Sequence, residues 1–292
     1  MSADAIITAR NLKKRFGKNE VLKGLNFAIP AGRIYGLVGH NGAGKTTTLN
    51  ALLGLTDYEG ELTVFGRNPF AERHKLMQDV AFISDVASLP RFLKVRELFD
   101  LIEDIHPHFS RDKAQVFLQG TDLKPDLKLK TLSKGMLAQL HLAVVMAIEA
   151  KLLVLDEPTL GLDITYRKRF YRRLIEDYMT EERTLIITTH QVDEIASILT
   201  DIMFIRDGEI VLDMETEALG TVYTQLVCGS DKADEAAKLG PVFSETRFGQ
   251  SVMVFENVGR DKLAALGEAA TPTLSDLFVA LMQRQSAIPG DK

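Results

Sequence analysis

The amino-acid sequence predicts an α/β protein with a mainly parallel sheet, followed by a small α+β domain. Short apolar, β-prone segments occur at residues 33–38, 151–155 and 184–189. Continuous apolar runs of this length are typical of strands that are buried on both faces of a parallel sheet. Helical patterns at 136–150 and 164–179 alternate with the later two strands, and this alternation predicts the α/β class.

The composition sets limits on the type of protein. A length of 292 residues allows one large domain and a small one, and 46% hydrophobic with 26% charged residues excludes disordered, collagen-like and coiled-coil proteins. The net charge is −5, and the basic residues are scattered, so we expect no nucleic-acid partner. The two tight basic triplets, at 13–15 and 167–169, are expected to be solvated, and the alternative is that either one meets phosphate or lipid headgroups. Cys228 is the only cysteine, which fits a cytoplasmic location.

No segment of the sequence resembles a membrane anchor. Residues 1–10 lack the basic start and apolar stretch of a secretory signal. The most apolar region, 140–155, is interrupted by His141, Glu149 and Lys151, and it is shorter than the roughly 20 apolar residues that a spanning helix needs. If a bilayer is involved, we expect another chain to cross it.

The C-terminal part of the sequence predicts a second domain. Two apolar runs within 201–212 flank the turn Arg206-Asp207-Gly208-Glu209 and predict a hairpin that closes the first domain. We therefore expect domains at 1–215 and 216–292. Strands are predicted at 222–228 and 251–255. A helix is predicted to start at Thr273. Its apolar residues Leu274, Leu277, Phe278 and Leu281 have the spacing i, i+3, i+4 and i+7 and so lie on one face.

A glycine-rich loop follows the first strand of the predicted sheet. Residues 39–46 fit the pattern G-x-x-x-x-G-K-[ST], and a helical pattern follows at 48–55. In such a loop, backbone N–H groups converge on phosphate oxygens at the start of a helix. Lys45 is then expected at the β- and γ-phosphates and the Thr46 hydroxyl at Mg²⁺. The other candidate nucleotide-binding residues of the loop are Gly39, Asn41, Gly42, Ala43, Gly44 and Thr47.

Polar residues follow the two later strands at the edge where the glycine loop is expected. Asp156 and Glu157 end the strand at 151–155, and His190 follows the strand at 184–189. We expect Asp156 to organise Mg²⁺, Glu157 to orient the attacking water, and His190 to hydrogen-bond the γ-phosphate. Two acids after a strand are usually a loop start or a helix cap, and the glycine loop favours the catalytic interpretation.

Taken together, the motifs resemble the ordered motif set of the ABC-transporter ATPases over roughly residues 5–215. The motifs are the glycine loop, Leu132-Ser133-Lys134-Gly135-Met136, the segment 152–157, Gly161-Leu162-Asp163, and His190. The resemblance implies ATP with Mg²⁺ as ligands. It also implies a P-loop ABC-ATPase domain with a parallel core, an antiparallel N-terminal part and a helical subdomain.

The same resemblance implies that two ATPase subunits pack head to tail around ATP. Ser133 and the Gly135 amide would close over the γ-phosphate of ATP held by the facing glycine loop. Asp163 would lie at the dimer interface and couple the two sites. Phe16 would stack on adenine, although a single Phe at this position is nearly as often part of a core.

The sequence departs from the family pattern in two motifs. Lys134 and Met136 replace a second glycine and a glutamine, and the lysine either strengthens binding of the facing phosphate or points to solvent. Asp85 stands where the family places a glutamine that contacts Mg²⁺ and the attacking water. We expect Asp85 to ligate Mg²⁺ and to repel the γ-phosphate, which would lower the turnover.

The most consistent function is that of an ATP-binding and ATP-hydrolysing subunit of an exporter-like ABC transporter. Its expected partners are a polytopic membrane permease and a second ATPase subunit, in a homodimer or a heterodimer. It would work on the cytoplasmic face of the membrane. The alternative is a soluble ABC-type regulator that uses ATP-dependent dimerisation as a switch without transport. The domain at 216–292 would support the dimer or regulate it.

Overall fold

The structure, a computed structural model, describes residues 5–83, 89–160 and 162–283. Asp85 and Gly161, two residues of the predicted motifs, lie outside these ranges. The chain divides into two compact units, Met1–Ile210 and Val211–Lys292. Within the described ranges no helix is both long enough and apolar enough to span a bilayer.

The largest sheet of the first unit carries the predicted site. Its order is β5-β6-β7-β3-β8-β9, and the pairings of β5 with β6, β6 with β7, β7 with β3 and β3 with β8 are parallel. The bounds are β3 (Ile34–Val38), β5 (Val80–Ile83), β6 (Leu152–Asp156), β7 (Thr184–Thr189), β8 (Asp201–Arg206) and β9 (Glu209–Glu215). Every residue of β3, β6 and β7 is buried, which explains why apolar residues predominate in these strands. The predicted α/β fold with a mainly parallel core is confirmed.

An antiparallel sheet of order β2-β1-β4 forms the N-terminal part of the first unit, as predicted. Its strands are β1 (Ala5–Phe16), β2 (Asn19–Pro30) and β4 (Glu59–Val64). The register of β1 shifts between Ala9 and Leu12, which is the mark of a β-bulge. Alternation resumes after the shift, so Leu12 and Lys14 face inwards.

Seven helices of the first unit flank the two sheets within the described residues. They are α1 (Lys45–Leu52), α2 (Arg73–Leu76), α3 (Val95–Ile105), α4 (Arg111–Leu118), α5 (Lys134–Met146), α6 (Ile164–Arg173) and α7 (Val192–Ile195). Helices α3, α4 and α5 share a hydrophobic core of their own, which includes Leu98, Phe99, Ala114, Leu140 and Val144. This is the predicted helical subdomain. The helix predicted at 164–179 changes at its end to a π-helical turn, Leu174–Tyr178.

The second unit contains an antiparallel sheet of order β11-β12-β10-β13. Its elements are α8 (Leu219–Val222), β10 (Tyr223–Gly229), α9 (Ser230–Ala237), β11 (Phe243–Arg247), β12 (Gln250–Glu256), α10 (Arg260–Ala264), β13 (Glu268–Ala270) and α11 (Leu274–Gln283). Cys228 is buried in its core with Leu226, Phe255 and Leu263. At the start of α11 the Asp276 amide donates a hydrogen bond of 3.1 Å to Thr273 Oγ1, which explains where the helix begins.

Candidate functional site

The glycine loop connects β3 to α1 and has a backbone that requires glycine at defined positions. Gly42 and Gly44 have φ angles of 84° and 110°, in the left-handed region. At Gly39 a side chain is excluded for another reason, because a Cβ atom would approach the Ile205 carbonyl oxygen to 2.4 Å. The loop therefore has the conformation that brings backbone N–H groups towards one point at the start of α1.

Lys45 is the first residue of α1, and its side chain folds back over the loop. Its Nζ donates hydrogen bonds to the carbonyl oxygens of Gly39 at 2.6 Å and His40 at 3.3 Å. Only 7% of the residue is exposed. Burial lowers the pKa of Lys45, while the carboxylates of Glu157 and Asp156 oppose the shift. The ammonium group is thus poorly hydrated and close to acids, so an anion that reaches the loop would interact with it strongly.

Asp156 ends β6 and forms a hydrogen-bonded group with two threonines. The Thr46 hydroxyl donates to Asp156 Oδ2 at 3.0 Å, and the Thr188 hydroxyl donates to Oδ1. The predicted metal-binding residues Thr46 and Asp156 are therefore in direct contact. Thr188 was not predicted, although it pairs with Asp156 in the register of β6 and β7. The available signal was the pair of threonines, Thr188 and Thr189, that ends β7 directly before His190.

The donor set at this contact fits Mg²⁺, which prefers oxygen ligands and keeps several waters while sharing one or two carboxylates with substrate phosphates. Thr46 Oγ1 and Asp156 Oδ2 supply two such oxygens next to the glycine loop. No group of three or more His, Cys, Asp or Glu in the described part of the chain is arranged to hold a metal ion. Phosphate oxygens and water would have to complete the shell.

Glu157 and His190 contact each other at the same edge of the sheet. The Glu157 backbone has a φ of 49°, and its amide donates to the Thr188 carbonyl at 3.2 Å and to Thr188 Oγ1 at 3.1 Å. This left-handed turn aims the side chain of Glu157 differently from that of Asp156. Glu157 Oε2 lies 2.9 Å from His190 Nδ1, and the exposed fractions of the two side chains are 17% and 47%. A half-exposed imidazole is thereby held against a largely buried carboxylate.

Three other predicted residues lie at starts of helices or on the surface. Ser133 caps α5, and its Oγ accepts a hydrogen bond of 3.2 Å from the Met136 amide. Asp163 caps α6 in the same way, with 2.9 Å from the Tyr166 amide to Oδ1. Both side chains thus have a structural role as helix caps. In the first turn of α5, a Cβ atom added at Gly135 would meet no atom outside the helix backbone closer than Ser133 Oγ at 4.0 Å.

Phe16 lies at the end of β1 and is 54% exposed, so it is not part of the core. The ammonium of Lys14 lies 4.8 Å from its ring centroid and 2.6 Å from Asp57 Oδ1. Lys14 itself is only 7% exposed. The expectation that the triplet at 13–15 is solvated is therefore wrong for Lys14, because the alternation of β1 turns this side chain inwards.

The fold and the loop define a P-loop nucleotide-binding protein, and comparisons with known proteins give its family. A model of the ABC transporter family matches residues 22–160. The chain is 34% identical over 221 residues to the Nod factor export ATP-binding protein I of Burkholderia lata, covering 74% of this chain and 72% of that protein. It is 30% identical over 217 residues to the lantibiotic transport ATP-binding protein SrtF of Streptococcus pyogenes, covering 72% of this chain and 91% of that protein.

Solved structures agree on the fold. A structure described as the ATP-binding subunit of an ABC transporter has a TM-score of 0.67 at 20% identity and covers 73% of this chain and 91% of its own. CbiO1 of Clostridium perfringens, part of the CbiONQ transporter complex, has a TM-score of 0.60 at 21% identity, with coverages of 73% and 90%. The chain belongs to the ABC transporter ATP-binding family. It is the ATP-binding subunit of such a transporter and an ATPase whose hydrolysis of ATP is coupled to transport.

Proposed function

We propose that the chain binds ATP with Mg²⁺ at the carboxyl edge of its parallel sheet and hydrolyses it between two ATPase subunits. ATP binding and hydrolysis would drive a separate, polytopic permease. The observation that carries the proposal is the meeting of side chains from the first turn of α1 and from the ends of two strands, β6 and β7. These are Lys45, Thr46, Asp156, Glu157 and His190.

Nucleotide binding rests on the loop between β3 and α1. The amides of residues 39–47 would hold the phosphates, and Lys45 would exchange its contact with the Gly39 carbonyl for the β- and γ-phosphate oxygens. Phe16, which is half exposed, would stack on the adenine. Thr46, Asp156 and Asp85 would hold Mg²⁺, directly or through water. Bound Mg²⁺ would supply positive charge against the negative charge of the phosphates.

Hydrolysis rests on Glu157 and His190. Glu157 would orient and polarise a water molecule and accept its proton as the water oxygen bonds to the γ-phosphorus. The bond from the γ-phosphorus to the β–γ bridging oxygen would break, and ADP would leave. The 2.9 Å contact of His190 Nδ1 with Glu157 Oε2 holds the imidazole in place. Nε2 would donate a hydrogen bond to a γ-phosphate oxygen when the ring carries a proton on both nitrogens. Glu157 and His190 thus act as a pair, one on the water and one on the phosphate.

Completion of the site is proposed to need a second subunit, identical or related. Ser133 and Gly135 lie at the exposed start of α5, where amides can bind a phosphate presented from outside. Asp163 would lie at the same interface. Residues 1–215 would form the ATPase domain, and 216–292 would support the dimer or regulate it.

The membrane partner sets where the protein works and what is moved. We propose a peripheral position on the cytoplasmic face of the membrane, bound to a polytopic permease. The names of the relatives refer to Nod factor export in one case and lantibiotic transport in another. Two such different cargoes on similar ATPase subunits favour a permease that selects the cargo and an ATPase that supplies the energy.

The test separates binding from hydrolysis. Glu157→Gln should lower kcat about 100- to 1000-fold, since it removes the carboxylate that polarises water, and it should keep nucleotide affinity. With ATP and Mg²⁺, this variant should run as a dimer on size-exclusion chromatography. Lys45→Ala is the contrasting variant and should lose nucleotide binding. A Glu157→Gln protein that hydrolyses ATP at the wild-type rate would contradict the proposal.

A further inference from the structure

Arg167 connects two loops of the first unit through its guanidinium group. Its Nε donates to the Leu162 carbonyl oxygen at 2.8 Å, and its Nη1 donates to Gln191 Oε1 and, at 2.7 Å, to Glu194 Oε1. The side chain is 18% exposed. The expectation that the triplet at 167–169 is a solvated face is therefore wrong for Arg167. A largely buried cation with acceptors on two separate segments is under strong positional constraint.

The two segments joined by Arg167 are those that carry the proposed catalytic pair. Leu162 ends the short loop that begins at Glu157, and turn hydrogen bonds of 3.1–3.2 Å tie Leu160 to Glu157 and Leu162 to Thr159. On the other side, Gln191 directly follows His190. Glu157 and His190 themselves meet through one contact of 2.9 Å. Arg167 is thus a second connection between the same two loops, behind the first.

The geometry of α6 explains why an arginine at this position reaches both loops. Asp163 caps the helix, and the Arg167 amide donates to the Asp163 carbonyl at 3.0 Å, which places Arg167 in the first turn. Helical side chains lean towards the N-terminus, so the guanidinium lies over the chain that enters the helix. The planar fork of arginine presents separate N–H groups to Leu162 and to Gln191 with Glu194, which the single ammonium of lysine cannot reproduce.

We infer that Arg167 is a positioning residue for ATP hydrolysis, which fixes the loop carrying His190 against the loop carrying Glu157. The inference rests on the proposed roles of Glu157 and His190. Without Arg167 the subunit would still bind nucleotide, because the glycine loop makes no contact with Arg167 in the described structure. The pair would be less well held, and catalytic groups that are displaced by about 1 Å can lose on the order of 100-fold in rate.

The experiment compares kcat with nucleotide affinity in purified variants. Arg167→Ala should lower kcat about 10- to 100-fold while the Kd for ATP changes less than about threefold. Arg167→Lys should recover only part of kcat. Lys168→Ala is the matched control on the same helix, since Lys168 is exposed and its side chain makes no hydrogen bond or ion pair that the described structure records. This variant should behave as wild type.

A purely structural ion pair predicts a different pattern. Removal of Arg167 leaves the Glu194 carboxylate unpaired, which destabilises the fold. The double variant Arg167→Ala, Glu194→Ala removes this penalty, so it should regain thermal stability but not kcat if Arg167 positions the loops. Recovery of both properties would overturn the inference, as would a wild-type kcat in Arg167→Ala.

Two further results keep the outcomes distinct. If Arg167→Ala does not fold, Gln191→Ala removes one acceptor only and should still lower kcat without weakening ATP binding; an unchanged kcat would count against the inference. If instead Glu157→Gln hydrolyses ATP normally, the proposed catalytic pair is wrong, whatever Arg167 does. A normal kcat in Arg167→Ala beside an inactive Glu157→Gln variant would reject only the role of Arg167.

Discussion

Helices α1 and α5 both begin at a glycine-containing motif, but their first turns lie in different surroundings. At α1, Gly44 caps the helix with a φ of 110°, and Lys45 returns to the Gly39 carbonyl. Thr46, in the same turn, contacts Asp156. At α5, Ser133 caps the helix through the Met136 amide, and Ser133 and Lys134 are exposed. The N-terminus of α1 contacts other residues of the candidate site, whereas the N-terminus of α5 is exposed at the surface.

Under the proposed function, the two N-termini would make two kinds of phosphate contact within one chain. At the loop before α1, the lysine and one hydroxyl come from the first turn of α1, and the acids and a second hydroxyl come from the neighbouring β6 and β7. The start of α5 offers amides and the positive end of a helix dipole, which favour an anion brought by another molecule. This is what a subunit needs if it both holds its own ATP and covers that of a partner.

The largest effect expected at the start of α5 is that of Gly135→Asp. A Cβ atom fits there, and a carboxylate near the N-terminus suits the helix, so the fold should persist. The same carboxylate would repel the facing γ-phosphate, and we expect ATPase activity to fall about 100-fold or more. ATP binding to the single subunit should be retained, because the loop before α1 is unchanged. Steady-state ATPase assays and equilibrium nucleotide titration measure the two properties.

Gly135→Ala is the neutral control and should lose much less activity than Gly135→Asp. If Gly135→Asp also abolished ATP binding, the N-termini of α1 and α5 would belong to one site within one subunit. Normal activity in Gly135→Asp would mean that the exposed start of α5 does not meet phosphate.

Residues that follow strands were predictable, whereas contacts that depend on long-range packing were not. Lys45, Asp156, Glu157 and His190 follow or end parallel strands, whose carboxyl ends share one edge, so the topology alone brings them together. Thr188 belongs to no motif and contacts Asp156 only through the pairing of β6 with β7. Lys14 and Arg167 looked solvated within their triplets. Their burial depends on the bulge in β1 and on the loop after β7.

Sequence periodicity also left element boundaries open. The helix predicted at 136–150 is α5, Lys134–Met146, because the Ser133 cap starts the helix at the motif itself. The helix predicted from residue 48 begins at Lys45, since the left-handed Gly44 ends the loop there. Capping depends on the conformation of one residue, which a hydrophobic pattern does not record.

A smaller effect is expected for Asp85→Gln. This variant tests whether the proposed Mg²⁺ site, which includes Thr46 of α1 and Asp156 of β6, also includes the residue that follows β5. Strand β5 ends at Ile83, which pairs with Leu155 next to Asp156. A carboxylate two residues further along the chain would bind Mg²⁺ and repel the terminal phosphate, whereas glutamine offers a neutral oxygen and a donor. We expect Asp85→Gln to raise the basal ATPase rate a few-fold or to shift its Mg²⁺ dependence. Unchanged values for both would remove Asp85 from the site.

The smallest effect concerns a titratable group of α5, the partly buried His141, which differs from the buried Lys45 of α1. Lys45 has the carboxylates of Glu157 and Asp156 nearby, whereas burial alone lowers the pKa of His141 to about 4. Since an unfolded histidine titrates near 6.5, the unfolded chain binds a proton here that the folded chain excludes between these two values. His141 therefore lowers the free energy of unfolding as the pH falls from about 6.5 towards 4.

His141→Gln should remove this pH dependence. Its contribution is about 1–2 kcal/mol between pH 7.5 and pH 5, and a neutral glutamine has the same protonation in both states. Denaturant unfolding at the two pH values measures it, and the quantity to compare is the pH difference within each protein, because the substitution also changes packing by an amount that does not depend on pH. Equal pH differences in wild type and variant would show that His141 titrates normally in the folded state. In that case water would reach His141 in the folded protein. The exposure that distinguishes the first turn of α5 from the enclosed first turn of α1 would then extend along α5 as far as His141.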